Sequence, residues 1–233
     1  EEGYVFTAGY LDGMRELARS LGATFVDGVE VAEIVTRAGR ATGVRLEDGT
    51  ALETDRVVVC AGGWTGDLLS PLGVRIPLVL ADHPGSPALG LLVRTGPVAT
   101  GPERVVHAGP LGIRPDGGGS LLLHSTDADQ KLAPDTPEGA DHPLAVRILE
   151  QATAVVPALG GASIESARLG RRVLPEDGHS IVGWTPGFAG LYVVATHSGV
   201  TMAPALGELV AREVAEGRAA GELEAFRPAR FAS

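Results

Sequence analysis

The residues with the clearest chemical potential lie near the C-terminal end of the chain, and the first of them is Arg172. It stands shortly before the turn-forming residues Pro175, Asp177 and Gly178. A guanidinium held between a strand and a turn is suited to bind a carboxylate through two parallel hydrogen bonds. The alternative for such an arginine is a structural salt bridge or an exposed surface position, both of which are common.

A second candidate site follows Leu191–Ala195, which has the composition of a strand. Thr-His-Ser-Gly comes next, and then a helix that carries Pro204 in its first turns. The first backbone N–H groups of a helix lack intrahelical partners, and the helix dipole adds positive potential there. The sequence therefore predicts a place for an electron-rich acceptor. His197 could bind such a ligand, although a single His at a helix start is as often a cap or a packed residue.

The run Arg56–Cys60 (RVVVC) is short, apolar and β-branched, which is typical of a strand buried on both faces in a parallel sheet. It leads into Ala61, Gly62 and Gly63, where glycines allow the backbone to approach a ligand closely. A plain strand-to-helix turn is the alternative interpretation. Cys60 itself is predicted to be an inert core residue.

The sequence does not indicate a nucleophilic serine, a phosphate-binding loop or a metal site. There is no G-x-S-x-G nucleophile turn, no P-loop and no G-x-G-x-x-G fingerprint, and the six histidines show no metal-ligand spacing. One cysteine excludes an intrachain disulfide and a cysteine-based metal cluster. No metal site is predicted. Gly117–Gly119 are interpreted as a hairpin turn.

Several secondary-structure elements must position these residues. Helical spacing of apolar residues and terminal signals predict helices, and short β-rich runs between Gly, Pro and Asp turns predict strands. The predicted helices are Thr7–Leu21, His142–Val156 and Ala203–Val214. The predicted strands, besides those above, are Thr24–Val26, Val29–Thr36, Ala41–Leu46, Ala51–Glu53, Leu89–Arg94, Arg104–Ala108, Ser120–Ser125 and Ala162–Arg171.

Composition limits the class of protein. The chain has 233 residues, of which 44% are hydrophobic, so one large or two modest domains with real cores are expected. A net charge of −10 argues against nucleic acid or an anionic membrane as a partner. No apolar run approaches the ~20 residues of a membrane span, and no signal peptide is visible. A cytoplasmic location is predicted.

Taken together, these segments resemble the FAD-dependent oxidoreductases of the D-amino-acid oxidase superfamily, which includes glycine and sarcosine oxidases. The resemblance is carried by Gly3-Tyr4-Val5 before a helix, by Gly28-Val29-Glu30-Val31 and by Thr54 to Trp64. At the C-terminal end it is carried by an Arg before a Pro/Asp-Gly turn and by His-Ser-Gly-Val-Thr-Met-Ala-Pro-Ala-Leu-Gly. It spans nearly the whole chain in matching order.

The resemblance implies a non-covalent FAD cofactor and a set of site residues. Covalent attachment is not expected, because Cys60 is predicted to lie away from the flavin-facing loop. Arg172 matches the arginine that binds the substrate carboxylate. The residues matching FAD contacts are Val31, Ala61, Gly62, Gly63, His197, Ser198, Gly199, Val200 and Thr201. Thr196 stands where the family often has Gly, and little effect of this difference is expected.

The implied fold is mixed: α/β plus α+β, a partial doubly wound FAD-binding domain interrupted by an antiparallel-sheet substrate domain. The expected boundaries are 1–76 and 171–216 for the FAD-binding domain, 77–170 for the substrate domain and 217–233 for a tail. Within the substrate domain, Arg114, His83, His107 and His124 are polar candidates among which the sequence does not choose.

The implied activity is the oxidation of an amine or amino acid by hydride transfer to flavin, with oxygen or an electron-acceptor protein as oxidant. The family's opening strand, G-x-G-x-x-G turn and helix do not occur in this sequence. We therefore expect a C-terminal portion of an enzyme, whose missing segment was removed, lost or supplied by another chain. The alternatives are a non-catalytic fragment or degenerate binding protein, and an enzyme that oxidises a 2-hydroxy acid.

Overall fold

A computed structural model describes residues 3–231 and divides them into two compact units. Unit one contains the residues up to Thr24 together with Leu80–Arg172, and unit two contains Phe25–Val79 together with the residues from Val173 onward. The predicted boundaries placed the residues up to Thr24 with the segment that follows them, whereas the contacts of the described residues 3–24 place these with 80–172. The assignment of FAD and substrate roles to these segments stays a prediction.

The secondary-structure elements are numbered in chain order. The helices are α1 Thr7–Ser20, α2 Thr65–Leu69, α3 Thr126–Asp129, α4 Pro143–Val155 and α5 Ala203–Val214. The strands are β1 Val31–Arg37, β2 Arg40–Leu46, β3 Ala51–Glu53, β4 Val57–Val59, β5 Leu89–Thr95, β6 Val106–Ala108, β7 Leu111–Pro115, β8 Leu121–Ser125, β9 Ile164–Arg171, β10 Ile181–Trp184 and β11 Leu191–Ala195. Single 3₁₀ turns occur at Gly62–Trp64, Ser70–Leu72 and Pro157–Leu159, and longer ones at Gly221–Phe226 and Pro228–Phe231.

Unit one is built on an antiparallel sheet of five strands in the order β6-β7-β8-β5-β9. Alternation along each strand gives the sheet two different faces. Leu91, Val93 and Leu123 point to a buried core that also contains Ala145 and Ile148 of α4. The predicted antiparallel-sheet domain is confirmed, and α4 begins where His142 accepts a hydrogen bond from the Leu144 N–H.

Helix α1 forms as the apolar spacing predicts, but its apolar face is exposed. Leu11, Leu17 and Leu21 are all more than half exposed, and α1 has no buried residue. Phe6 occupies the N-cap position without a side-chain cap. Helical periodicity thus fixes the local structure, although no described segment buries the face.

Unit two contains two three-stranded sheets, β1-β2-β3 and β10-β11-β4. The predicted parallel pairing is confirmed, because Val57 and Val59 of β4 lie beside Leu191 and Val193 of β11. The prediction that β4 is buried on both faces is wrong: Val58 is 39% exposed. Among the described residues β4 pairs only with β11, so its other edge is open and its second face is incompletely covered.

The segment 217–231, predicted as a polar tail, packs into unit two. Ala220 and Leu223 are buried in a core cluster with Tyr192 and Leu206. Glu213 of α5 accepts hydrogen bonds that tie this segment to the helix. Apolar residues spaced among charged ones give little sequence signal, so only tertiary contacts reveal this packing.

Two strands were missed and one was wrongly predicted. β7 contains Gly112 and ends at Pro115, and β10 contains Gly183, so neither has the usual strand composition. Both form because neighbouring strands supply their hydrogen bonds. Thr24–Val26 is not a strand, although its β-branched residues suggested one.

Residues 3–231 contain neither a membrane-spanning helix nor a metal-binding cluster. No helix there combines the length and apolar character needed to cross a bilayer. No group of three or more His, Cys, Asp or Glu side chains in the same range is arranged to hold a metal ion.

Candidate functional site

The loop between β11 and α5 presents a series of unpartnered backbone donors. Residues His197–Met202 are exposed and turn-like, and α5 starts at Ala203 as predicted. Within the described part of the chain, the N–H groups of His197, Gly199, Val200 and Thr201 have no hydrogen-bond partner. The N–H groups and the start of a 12-residue helix fit an electron-rich group.

Thr196, immediately before this loop, has a structural role that the sequence did not indicate. Its hydroxyl oxygen accepts a hydrogen bond from the Ser198 N–H at 3.2 Å and lies 2.8 Å from the Ser180 hydroxyl. These bonds fix the turn after β11. The Thr196 side chain therefore anchors the loop. The sequence had suggested that Thr in place of Gly would have little effect.

The predicted glycine turn after β4 forms a 3₁₀ turn, Gly62–Trp64, that leads into α2. Gly62 has φ +60°, a conformation that favours glycine, and Gly63 is buried. Ala61 is half-buried at the start of this turn. Val31 lies at the start of β1, in the other sheet, where it is half-buried and pairs with Leu46.

An apolar groove of unit two is lined both by the glycine turn after β4 and by the loop between β11 and α5. It runs along β4 and the adjoining face of α5, and both Gly62 and Gly199 line it. Val31 is not among its lining residues. The lining residues are Val58, Cys60, Gly62, Val173, Val194, Thr196, Gly199, Ala203, Leu206, Gly207, Val210, Ala211, Val214 and Ala215.

Cys60 is placed differently from the prediction. It follows β4 rather than lying within it, it is exposed, and it lines the same groove as Thr196 and Gly199. The argument against covalent flavin attachment from the position of Cys60 is therefore wrong, and a non-covalent cofactor stays a prediction. Desolvation by the surrounding groups raises the pKa of the thiol, so it is largely protonated near neutral pH.

Arg172 lies in unit one, where some donors of its guanidinium are bonded within the protein and others have no partner within residues 3–231. Its Nη1 donates to the carbonyl oxygens of Leu89 at 2.7 Å and Pro87 at 3.2 Å, and its Nη2 donates to Asp129 Oδ2 at 2.6 Å. Of the five guanidinium N–H donors, the Nε–H and one on Nη2 have no partner among the described residues. The salt-bridge alternative is therefore present, and two donors remain available for a ligand.

Two features hold this guanidinium in place. It lies over Gly90, because a Cβ built there would come within 2.5 Å of Arg172 Nη2 and 2.6 Å of Cζ. Asp129 is almost completely buried and also accepts the Leu91 N–H at 2.9 Å. This bond occurs where β8 has turned into α3 and no longer pairs with β5. Asp129 thus replaces a strand partner and anchors Arg172, a role that no spacing in the sequence indicates.

The other polar candidates of unit one have different surroundings. His83 is exposed and hydrogen-bonds to Asp82, and Arg114 bonds to the carbonyl oxygen of Pro115. His107 and His124 both lie opposite Gly112, on the two strands that flank β7. The structure therefore places the two histidines in one cross-strand row.

Comparison with known proteins gives one family. The family model described as "FAD dependent oxidoreductase" (DAO) matches residues 1–213. The chain is 31% identical to the glycine oxidase of Pseudomonas putida over 180 residues, which are 76% of this chain and 46% of that protein. It is 26% identical over 245 residues to 4-methylaminobutanoate oxidase (formaldehyde-forming) of Paenarthrobacter nicotinovorans, covering 99% of this chain and 29% of that protein.

Solved structures agree on the fold. Glycine oxidase from Geobacillus kaustophilus superposes with a TM-score of 0.73 at 24% identity, over 92% of this chain and 55% of that one. L-amino acid deaminase from Proteus vulgaris, with its specific insertion sequence deleted, gives 0.72 at 24% identity over 94% and 53%. The chain spans 34%, 29% and 46% of the length of three curated relatives that it matches.

Proposed function

The chain belongs to the family of FAD-dependent oxidoreductases, and on that premise we propose that it takes part in oxidising an amine or amino acid. The observation that carries the proposal is the state of Arg172 in unit one. Its guanidinium is fixed over Gly90 and bonded to Asp129, and its Nε–H and one Nη2–H remain available. Two donors on one planar group can bind the two oxygens of a carboxylate.

The role of Arg172 is to bind and orient the substrate. Because three of its donors are already bonded, little side-chain entropy is lost when a carboxylate binds. The fixed carboxylate positions the substrate carbon that loses a hydride, while the nitrogen lone pair forms the C=N bond of an iminium product. FAD, when bound, would supply the hydride acceptor.

In unit two, the loop after β11 would hold the flavin. The unpartnered N–H groups of His197, Gly199, Val200 and Thr201 suit the N1/O2 edge, where negative charge develops on reduction. Ala61, Gly62 and Gly63 would pass near the dinucleotide, and Val31 would contact the adenine side through its backbone. The oxidant of the reduced flavin would be oxygen or an acceptor protein.

A substitution series at Arg172 tests the substrate role in the full-length protein loaded with FAD. Arg172→Lys keeps the charge but loses the two-donor edge, and we expect KM for a carboxylate substrate to rise by about tenfold or more. The same variant should leave KM unchanged for an amine that lacks a carboxylate. Equal KM values for the carboxylate substrate in both proteins would refute the role of Arg172.

The nature of the substrate is tested by a panel of amino, N-methylamino and 2-hydroxy acids of matched carbon skeleton. Turnover of the first two classes supports amine oxidation. Selective turnover of the hydroxy acids would replace it by the alternative activity, since the same arginine can bind either carboxylate.

A second candidate is that this chain alone is a non-catalytic portion unable to hold FAD. The open edge of β4 and the exposed Val58 favour it, because an unpaired strand edge beside an apolar groove suits a further strand. Titration of FAD into this chain and into a version extended upstream separates the two. Equally tight binding by both would contradict this candidate.

A further inference from the structure

The face of the unit-one sheet opposite its core carries a row of basic side chains, which we call the basic row. Cross-strand pairing aligns His107 of β6 with Gly112 of β7, and Gly112 with His124 of β8. On β5 and β9, Leu92 pairs with Arg168. Val93 pairs with Leu123 in the last pair between β5 and β8, and Leu92 and His124 are the next residues along these two strands on the same face. The row therefore crosses all five strands.

Gly112 makes room for the His124 ring. A Cβ at Gly112 would lie 2.2 Å from His124 Cε1 and 2.5 Å from Nδ1, so the ring lies against the glycine backbone. The His124 ring nitrogens have no hydrogen-bond partner among residues 3–231. A half-buried imidazole with both nitrogens free can donate one hydrogen bond and accept another.

Arg168 supplies a fixed charge at the other end of the row. Its side chain is exposed, and it has no ion-pair partner in the described part of the chain. Leu92, which lies between His124 and Arg168, is 43% exposed. The face therefore presents an apolar centre between two unsatisfied donors, in a protein whose net charge is −10.

The charged groups around His124 determine its protonation. Burial lowers its pKa most, the Asp129 carboxylate raises it, and the charges of Arg172 and His107 lower it again. The ring is therefore neutral near pH 7, and an anion beside it would favour uptake of a proton.

The basic row lies close to the proposed carboxylate site. Arg172 covers Gly90, which is two residues from Leu92 on the same strand and the same face. Two residues along a strand span roughly 7 Å. A molecule whose first carboxylate is bound by Arg172 would thus place a second polar group, at the far end of a short chain, over Leu92.

We infer that the basic row binds a second carboxylate, so that the preferred substrate is a dicarboxylic amine or amino acid with His124 and Arg168 as specificity-determining residues. This inference rests on the proposed function, because it requires the first carboxylate to be bound by Arg172. His124 donates through one ring nitrogen and Arg168 through its guanidinium. The methylene chain of the substrate packs against Leu92.

The test compares dicarboxylates with monocarboxylates of equal length as ligands of the full-length FAD-loaded enzyme. Glutarate and adipate are titrated against valerate and hexanoate by calorimetry. We expect the dicarboxylates to bind about tenfold or more tightly, since a hydrogen bond to a charged group has that effect. Repeating the titration in buffers of different ionisation enthalpy should show proton uptake by His124 for the dicarboxylates only.

Variants separate the basic row from the rest of the site. Arg168→Gln should abolish most of the preference, and His124→Gln should abolish both the preference and the proton uptake, with valerate affinity unchanged in each. Arg147→Gln is the matched control, because Arg147 is an exposed arginine on α4, which packs against the other face. It should leave the preference intact.

The possible results distinguish a failure of the basic-row inference from a failure of the proposed function. If valerate binds and Arg172→Lys weakens it, but glutarate binds no better, the proposed function stands and the basic-row inference is refuted. A dicarboxylate preference that persists in both Arg168→Gln and His124→Gln also refutes it. If neither ligand class binds and no carboxylate substrate is turned over, the proposed function itself fails.

Discussion

Glu213 is a buried carboxylate of α5 that holds the C-terminal segment of unit two in place. Its side chain is only 3% exposed. It accepts hydrogen bonds from Arg227 Nη1 and Nη2 at 2.7 and 2.6 Å, from the Tyr192 hydroxyl at 2.7 Å and from the Ala220 N–H at 2.7 Å. All four bonds favour the ionised form, so folding and ionisation of Glu213 are coupled.

The size of this coupling follows from the pKa. Burial opposes ionisation, but the hydrogen bonds from Arg227, Ala220 and Tyr192 outweigh it and lower the pKa of Glu213 from 4.5 to about 2. A decrease of this size corresponds to roughly 3 kcal/mol of unfolding free energy. Because the pKa is lowered on folding, this stabilisation is complete above pH 4.5 and is lost as the pH falls towards 2.

Glu213→Gln tests the reasoning. We expect the variant to be less stable at pH 7 by roughly 3–5 kcal/mol, since it also leaves Arg227 without its ionised partner. The free energy of unfolding is measured from urea transitions followed by circular dichroism, at pH values from 7 down to 3. The difference between the two proteins should narrow below pH 4.5. Glu208→Gln, which changes an exposed residue of the same helix, is the control.

Two results would contradict this account. A Glu213→Gln variant as stable as the parent chain at pH 7 would show that the network contributes nothing net. A large difference that stays constant down to pH 3 would show that the loss comes from packing rather than from the charge.

Three further predictions concern other parts of the chain. Gly90→Ala should raise KM for a carboxylate substrate at least several-fold, because the new Cβ displaces the guanidinium of Arg172, whereas Gly101→Ala, which meets only ordinary contacts, should not. Leu123→Ala should lower the unfolding free energy by about 2–5 kcal/mol in denaturant titrations, since Leu123 is fully buried, and a loss below about 1 kcal/mol would contradict the assigned core. Cys60 should react slowly with iodoacetamide at pH 7.5 and faster as the pH rises above 9, because its thiol pKa is raised; rapid alkylation at neutral pH would show otherwise.

Local sequence patterns predicted the helices and strands whose formation depends on residues close together in the chain. The helix Ala203–Val214 and the strand Leu191–Ala195 have the predicted bounds, because apolar periodicity and a Pro in the first turn define them locally. The loop between them was predicted to present free N–H groups, and those of His197, Gly199, Val200 and Thr201 have no partner among residues 3–231. The strands β7 and β10 were missed because their glycines lower strand propensity, and pairing with neighbours outweighs that effect.

The candidate site likewise has features that the sequence predicted and features that only the tertiary structure shows. The sequence by itself determined the family, the flavin cofactor that the family implies, and the identity of Arg172 as an anion-binding candidate, because these depend on residue types at fixed spacings. Only the tertiary structure showed that Asp129 fixes Arg172 and that Gly90 leaves space for it. It also placed His124 in a row with Arg168. The reason is physical: cross-strand register brings together residues far apart in the chain, and no local pattern encodes that register.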